Sequence, residues 1–254
     1  MRIMDNAPVA VFDSGLGGIS VLRALAKELP NEDFLYFGDS ANAPYGPKSL
    51  EEVRALTLAA AEKLFSHGCK ALVIACNTAT SAAVSLLRET WPARPIIGVE
   101  PALKPAAVHR NVLVLATEMT LREEKFAKLL QHYGGAADVR SIAAPGIVEC
   151  VERGETEGAV LEGYLQTLLA PCQETPPDAV VLGCTHFPFV KAAIARTLGR
   201  TVHFYDGAEG VARETRRRLA AHDLLAGRTG AGHIDLTNSR EEKLEIAWKL
   251  FRQA

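Results

Sequence analysis

The stretch Val73-Ile74-Ala75-Cys76-Asn77-Thr78 has a counterpart later in the chain, Val181-Leu182-Gly183-Cys184-Thr185-His186. In both stretches an apolar, strand-like run ends in a small residue and a cysteine, and polar side chains follow. A helix-like segment comes directly after each stretch. This repetition predicts two similar halves, each of which presents one thiol at the carboxyl end of a strand.

Strand-like and helix-like patterns alternate along almost the whole chain. Such alternation predicts βαβ units and an α/β fold with two pseudo-symmetric, doubly wound lobes of mostly parallel strands. We expect a first lobe over residues 1–98, joined by the C-terminal segment 208–254, and a second lobe over residues 99–207. Ligands of open α/β sheets bind beyond the carboxyl ends of the strands, so we expect the active site in the cleft between the lobes.

Several local predictions can be tested directly against a structure. The patterns predict helices over residues 80–90, 120–133 and 188–198, the second of them ending at Gly134-Gly135. Ser239 and Glu242 have the spacing of a capping box, which predicts that the last helix begins just after Ser239.

The composition excludes several classes of protein. Of the 254 residues, 48% are hydrophobic and 23% are charged, as in soluble globular proteins, and the net charge of −2 gives no electrostatic reason to expect nucleic-acid binding. We find no signal peptide and no apolar run of the ~20 residues that a membrane span needs. Five cysteines without disulfide spacing predict a reduced, cytoplasmic protein. Cys69, Cys150 and Cys172 have no motif around them and are interpreted as buried structural residues.

The two remaining cysteines indicate acid–base chemistry. A helix N-terminus favours the thiolate form, and both Cys76 and Cys184 precede predicted helices. Two such groups on opposite faces of a substrate suit inversion at carbon, because one thiolate removes the α-proton while the other thiol protonates the opposite face. The pairs Asn77-Thr78 and Thr185-His186 would supply hydrogen bonds to the substrate carboxylate. No lysine motif indicates a Schiff-base cofactor, so we expect neither a cofactor nor a metal.

Other interpretations of these motifs stay open on the residues alone. A zinc site would have only Cys184 and His186 at short spacing, a redox pair would usually show CxxC, and a Cys–His hydrolase would leave the second cysteine unused. The Gly-rich turn at residues 13–18 is neither a dinucleotide fingerprint nor a phosphate-binding P-loop. It could bind a carboxylate through its backbone N–H groups, or it could be a tight turn capped by Asp13 or Ser14.

At these residues the sequence resembles the glutamate racemases, a branch of the aspartate/glutamate racemase family. The resemblance rests on the blocks FDSGLGG (12–18), GDSANAPYG (38–46), VIACNTATS (73–81), TEMT (117–120) and VLGCTHFPF (181–189), which span nearly the whole chain. The wider family, with its aspartate racemases, shares the cysteine junctions, whereas the DSGxGG and PYG blocks are typical of the glutamate branch.

The resemblance implies a cytoplasmic, cofactor-independent enzyme that interconverts L- and D-glutamate for peptidoglycan synthesis. Its partner would be the small-molecule substrate, without nucleic acid or membrane, and assembly as a homodimer stays open. Cys76 and Cys184 match the catalytic thiols, Asp13 the group assisting the first, and His186 with Glu152 the groups assisting the second. Glu149 is a rival to Glu152. The implied substrate-binding residues are Asp13, Ser14, Pro44, Tyr45, Gly46, Asn77, Thr78, Thr117, Thr120, Thr185 and His186.

Two departures from the family pattern concern loops rather than thiols. Asn42 stands where many relatives carry arginine, and Ala144-Pro145 replaces a common Cys-Pro. The alternatives to a glutamate racemase are an aspartate racemase or another two-cysteine relative and, from a different class, a non-catalytic regulator that binds an amino acid. Turnover of each amino acid would separate them.

Overall fold

The computed structural model describes residues 6–133 and 137–253, and its strands alternate with helices throughout. The strands are β1 (Val9–Asp13), β2 (Phe34–Gly38), β3 (Ala71–Ile74), β4 (Ile96–Gly98), β5 (Asn111–Ala116), β6 (Asp138–Ala143), β7 (Ala179–Gly183), β8 (His203–Tyr205) and β9 (Ile234–Asn238).

The α-helices are α1 (Ile19–Glu28), α2 (Leu50–Ser66), α3 (Asn77–Thr90), α4 (Leu103–Ala106), α5 (Glu118–Arg122), α6 (Glu124–Tyr133), α7 (Pro145–Glu152), α8 (Ala159–Leu169), α9 (Lys191–Leu198), α10 (Ala208–Ala221) and α11 (Leu244–Arg252). Short 3-10 helices occur at Ala170–Cys172, Phe187–Val190 and Glu241–Lys243. Within residues 6–133 and 137–253, we find no helix whose length and apolar character would let it cross a bilayer.

The chain divides into two compact units. One holds the chain up to Val99 together with the segment from Ala208 onward, and the other holds Glu100–Gly207. Each unit contains its own sheet, and every strand pairing described is parallel. The predicted α/β fold with mostly parallel sheets is therefore confirmed.

The sheet of the first unit has the strand order β4-β3-β1-β2-β9. Its central strand β1 is fully buried, because helices cover a sheet built from apolar, β-branched residues. The outer strand β9 comes from the C-terminal segment and pairs with β2, for example Leu236 with Tyr36. The last fifth of the chain thus completes a sheet that the first residues begin.

The sheet of the second unit has the order β6-β5-β7-β8. Its internal strands β5 and β7 are apolar and buried almost along their whole length. Val112, Val114 and Val181 form one core with Leu103 of α4 and Phe126 of α6. This rigid sheet places the residue after each strand end at a defined position.

Helix boundaries differ from the predicted ones near the polar junctions. Helix α3 begins at Asn77 rather than Thr80, because Cys76 itself caps it. The predicted helix over 120–133 is two helices, since Glu123 adopts an extended conformation with ψ of 140°. Its expected end at Gly134-Gly135 lies outside the described residues. The predicted helix over 188–198 begins as a 3-10 helix and becomes α-helical only at Lys191.

The predicted capping box at Ser239 is wrong. Helix α11 begins at Leu244, and the Ser239 hydroxyl instead accepts a hydrogen bond from the backbone N–H of Ala41 at 2.8 Å. The capping box that the structure contains lies at α2, where the Ser49 hydroxyl and the Glu52 carboxylate each accept from the other's backbone N–H. The Ser239 side chain therefore makes a tertiary hydrogen bond instead of the helix cap that the local pattern predicted.

Candidate active site

The polar residues of the first unit gather at one edge of its sheet. In the strand register, Asp13 lies beside Gly38, and Phe12 lies beside Ile74. Because the three strands are parallel, Asp13, Asp39 and Cys76 follow or end them at the same carboxyl edge. This is the edge at which parallel sheets bind ligands.

Cys76 is a buried thiol surrounded by hydrogen-bond donors. It is the N-cap of the 14-residue helix α3, and the backbone N–H of Ala79 points at its Sγ at 3.4 Å. The Ser14 hydroxyl also lies 3.4 Å from this sulfur. Donors at a helix N-terminus can stabilise a negative charge such as that of a thiolate.

The turn after β1 fixes the Asp13 carboxylate. Asp13 is fully buried, and its Oδ1 accepts a hydrogen bond from the backbone N–H of Gly15 at 2.8 Å. A Cβ at Gly18 would lie 2.6 Å from the Cβ of Asp13 and 2.9 Å from that of Ala75, so only glycine fits there. The N-cap position of helix α1 is Gly18, which has no side chain to cap the helix.

The loop after β2 contains a buried tyrosine held by a carboxylate. The Tyr45 hydroxyl donates to Asp39 Oδ2 at 2.8 Å, and Asn42 Nδ2 donates to both Asp39 oxygens at 3.1 and 2.9 Å. Burial and the neighbouring Asp39 charge raise the pKa of Tyr45 far above its usual value, so its phenol stays protonated. Pro44, in the same loop, is exposed, and Gly46 is half-buried.

Asp39 is not one of the predicted site residues, but it contacts one of them, Tyr45. The signal that could have found it is its position, since Asp39 follows β2 just as Asp13 ends the neighbouring strand β1. Its hydrogen bond with Tyr45 connects the start of the loop after β2 to Tyr45, which is predicted to bind substrate.

The second unit repeats the arrangement at the edge of its own sheet. Ala116 lies beside both Ala143 and Gly183 in the strand register. Thr117 and Cys184, which follow β5 and β7, therefore lie at the same carboxyl edge. Thr117 caps α5 by accepting from the backbone N–H of Thr120 at 3.3 Å, and the two hydroxyl oxygens are 3.0 Å apart.

Cys184 lies next to an imidazole that is itself held by a carboxylate. Its Sγ is 3.5 Å from His186 Nδ1, and His186 Nε2 is 2.8 Å from Glu152 Oε1. Glu152 is the last residue of α7, which packs against the 3-10 helix that follows His186. The rival Glu149 is exposed, so the structure brings Glu152 rather than Glu149 to the histidine.

The surroundings of His186 favour its charged form. Burial opposes the charge, but hydrogen bonds to Cys184 and Glu152 and their negative charges outweigh it and raise the pKa of the imidazole well above its usual value. The raised pKa favours an imidazolium ring, 3.5 Å from the Cys184 sulfur. Such a neighbour stabilises a thiolate and can transfer a proton to it.

The remaining predicted binding residues are buried at the same strand ends. Asn77 and Thr78 form the first turn of α3, and Thr185 separates Cys184 from His186. All five cysteines are buried and reduced, including the three interpreted as structural residues. Among the residues described, we find no cluster of three or more His, Cys, Asp and Glu side chains arranged to hold a metal ion.

Comparisons with known proteins identify the family of the chain. A family model for Asp/Glu/Hydantoin racemase matches residues 16–215. A glutamate racemase of Clostridium perfringens is 46% identical over 252 residues, which cover 97% of each chain. Glutamate racemase from Thermus thermophilus, solved with beta-chloro-D-alanine, is 37% identical with a TM-score of 0.82, covering 98% of this chain and 94% of its own. Glutamate racemase from Francisella tularensis, solved with D-glutamate, is 27% identical with a TM-score of 0.85, covering 98% and 95%. This chain therefore belongs to the Asp/Glu/Hydantoin racemase family and is an isomerase.

Proposed function

We propose that this chain is a glutamate racemase that interconverts L- and D-glutamate without a cofactor. The similar enzymes from three organisms are all named glutamate racemases, and the Francisella structure contains D-glutamate. In this proposal the enzyme works in the cytoplasm, supplies D-glutamate for peptidoglycan, and needs neither nucleic acid nor membrane. Cys76 and Cys184 are its two acid–base groups.

One observation carries the proposal: each unit presents a buried cysteine at the carboxyl end of an internal strand, with a polar group in contact with its sulfur. In the reaction, one thiolate takes the α-proton and becomes a thiol. The other thiol gives its proton to the opposite face of the same carbon and becomes a thiolate. Protons balance, and the product enantiomer leaves the enzyme ready for the reverse direction.

In the first unit we assign the support of the thiol to two neutral hydrogen-bond donors and to the Asp13 carboxylate. The Ser14 hydroxyl and the Ala79 N–H stabilise the negative sulfur of Cys76 when it acts as the base. Asp13 assists this thiol as a buried carboxylate held at the same strand end. Asn77 and Thr78, at the start of α3, offer donors to a substrate carboxylate, where charge develops as the α-proton leaves.

In the second unit we assign the support of the thiol to the His186–Glu152 pair. The imidazolium stabilises the thiolate of Cys184, and Glu152 keeps the ring oriented and charged. Thr185, Thr117 and Thr120 add hydroxyl groups at the same edge for substrate binding. In the loop 39–46, Tyr45 with its neighbours Pro44 and Gly46 completes the proposed substrate contacts.

The deciding experiment follows racemisation of L- and of D-glutamate by circular dichroism, with no cofactor added. Replacing Cys76 or Cys184 by alanine should lower turnover by about 10²- to 10⁴-fold or more, since each removes one acid–base group. Cys69→Ala and Cys172→Ala are matched controls, because both thiols are buried and free but lie outside the site. They should retain near-normal turnover.

A parallel measurement in deuterated water tests the chemistry itself. Deuterium must enter the α-position of the product, because the incoming proton comes from a thiol that exchanges with solvent. Product without α-deuterium, or near-normal turnover in Cys76→Ala, would reject the two-base mechanism. Faster turnover of aspartate than of glutamate would indicate an aspartate racemase, and glutamate binding without racemisation would indicate a regulator.

A further inference from the structure

The end of strand β9 contacts the start of the loop that contains Tyr45. We infer that Asn238 and Ser239 are positioning residues that hold this loop, residues 39–46, in its substrate-binding conformation. The inference rests on the proposed function, since it assigns to the C-terminal segment a role in glutamate binding. Both residues act through Tyr45 and are not expected to touch the reacting atoms.

Three hydrogen bonds join the end of β9 to the last residue of β2 and to two residues at the start of the loop. The Ser239 backbone N–H donates to the Gly38 oxygen at 2.9 Å, and the Ser239 hydroxyl accepts from the Ala41 N–H at 2.8 Å. Asn238 Nδ2 donates to the Ser40 hydroxyl at 3.0 Å.

The Asn238 side chain is itself oriented, because its Oδ1 accepts from the backbone N–H of Arg240 at 2.8 Å. Its amide nitrogen therefore points at the loop rather than at solvent. The loop start is held from the carboxyl end of β9.

Close packing at Gly38 leaves little room for other arrangements. A Cβ there would lie 2.3 Å from the Gly15 oxygen and 2.6 Å from Asn238 Nδ2. The Gly15 oxygen also accepts from the Tyr36 hydroxyl at 2.7 Å. The end of β9 and the turn after β1 thus pack directly against the backbone of Gly38 at the end of β2, where a side chain would not fit.

The restraint reaches Tyr45 through Asp39. Asp39 lies between Gly38 and Ser40, both of which contact the end of β9, and its own N–H donates to the Asp13 oxygen at 2.9 Å. Its carboxylate in turn accepts the Tyr45 hydroxyl at 2.8 Å. Contacts to the Gly38 backbone oxygen and the Ser40 hydroxyl, on either side of Asp39, therefore restrain the group that holds Tyr45.

These side chains are not needed to dock β9 itself. The parallel pairing of β9 with β2 runs from Ile234 to Asn238, and Ser239 follows its last pair. The Ser239 side chain is exposed and buries little surface, so its hydroxyl adds little to the core. The position of the Ser239 hydroxyl therefore supports a role in holding the loop.

The test compares KM and kcat for glutamate in Ser239→Ala and Asn238→Ala. Losing one hydrogen bond to the loop should raise KM by about three- to tenfold, while kcat stays within about twofold, because substrate binding weakens without loss of a reacting group. Ser239→Thr keeps the hydroxyl and should restore KM. Asp235→Asn is the matched control, as Asp235 is exposed on the same strand and contacts His233 rather than the loop.

A double-mutant cycle with Tyr45→Phe separates positioning from a general structural effect. Tyr45→Phe already breaks the link to Asp39, so adding Ser239→Ala should raise KM much less than it does alone. Thermal melting should show Ser239→Ala as stable as Asp235→Asn. Additive effects on KM, or an unchanged KM in both Ser239→Ala and Asn238→Ala, would overturn the inference.

The result also distinguishes this inference from the proposed function. If the wild type racemises glutamate and both variants keep its KM, the positioning role is rejected and the racemase proposal stands. A wild type that binds D-glutamate in calorimetry without racemising it rejects the racemase proposal, and the change in its Kd in Ser239→Ala then decides the positioning role. A wild type that neither binds nor racemises glutamate rejects both.

Discussion

Cys76 and Cys184 lie at matching positions in two sheets, yet their contacts differ in kind. The first sulfur faces a serine hydroxyl and a helix N–H, both of which are neutral groups. The second faces His186, whose pKa is raised by its contacts with Cys184 and Glu152. Repeated topology therefore places the thiols, while the neighbouring side chains decide how each one gains and releases a proton.

The difference begins in the backbone after each cysteine. After Cys76 the chain enters an α-helix at once, so the Ala79 N–H reaches the sulfur. After Cys184 a 3-10 helix with Pro188 in its first turn follows, and the Phe187 N–H donates to the Cys184 backbone oxygen instead. The second thiol is thus supported by a charged side chain where the first has a helix N-terminus.

Among the side chains that support the two thiols, His186 is expected to have the largest effect, tested as His186→Asn. Loss of the imidazolium should lower kcat/KM by about 10²- to 10⁴-fold, since it removes the charged partner of Cys184. Turnover is measured by circular dichroism, with the exposed His222→Asn as the control. A loss of turnover of less than about threefold would be well below the usual loss for an acid–base group. It would show that Cys184 does not depend on a charged partner.

The same variant should separate the two directions through isotope effects. Enantiomers have equal free energies, so kcat/KM must fall equally for L- and D-glutamate. Slowing the step at Cys184 makes that step more rate-limiting. The isotope effect of α-deuteration should therefore rise for the enantiomer whose proton Cys184 removes and fall for the other.

Ser14→Ala should have a smaller effect with the opposite asymmetry. Losing one hydrogen bond to a thiolate is worth about 1.5 kcal/mol, or about tenfold in kcat/KM. The isotope effect should now rise for the other enantiomer, and alkylation of Cys76 should slow at fixed pH. Ser20→Ala is the matched control, because its hydroxyl donates to the Gly17 oxygen in the same turn. An isotope asymmetry of the same sign as in His186→Asn would contradict the comparison.

Glu152→Gln should change the pH dependence of the second unit alone. Without the carboxylate charge the pKa of His186 should fall, which an NMR titration of the imidazole measures. A raised histidine pKa stabilises the fold fully below about 6.5, the unfolded value, and this stabilisation is lost as pH rises through the folded pKa.

The stability of wild type over Glu152→Gln should therefore be largest near pH 6, by about 1–3 kcal/mol, and shrink toward alkaline pH. Denaturant unfolding at several pH values measures it. The exposed Glu149→Gln is the control and should show no such trend. A stability difference that grows with pH would have the wrong sign for a raised pKa.

The smallest expected difference concerns capping. Cys76→Ser keeps an N-cap for α3 that Cys76→Ala removes, so the serine variant should be about 1 kcal/mol more stable. At Cys184, which caps no helix, the same pair of variants should differ less. Denaturant unfolding of the four variants measures these free energies of unfolding. Equal serine–alanine differences at both positions would show that capping by Cys76 does not distinguish the two cysteines.

Much of the fold and part of the site follow from local sequence. Apolar runs such as those of β1 and β7 predict buried parallel strands, because only such strands are covered on both faces. Residues that follow such a run lie at the ligand-binding edge of the sheet, and this position predicts a role in the site for Cys76 and Cys184. The choice between Glu149 and Glu152 needed the orientation of α7 against the neighbouring 3-10 helix.

By itself, the sequence determined the α/β class, the two cysteine junctions and the polar residues around them, since these depend on periodicity and on neighbours in the chain. Only the tertiary structure decided which side chains meet. Ser49 and Ser239 share the same Ser-x-x-Glu pattern, yet Ser49 caps a helix while Ser239 holds a loop at Ala41. The physical reason is that β9 must pair with β2 before Ser239 can reach that loop, and this pairing joins residues about 200 positions apart, beyond the reach of any local pattern.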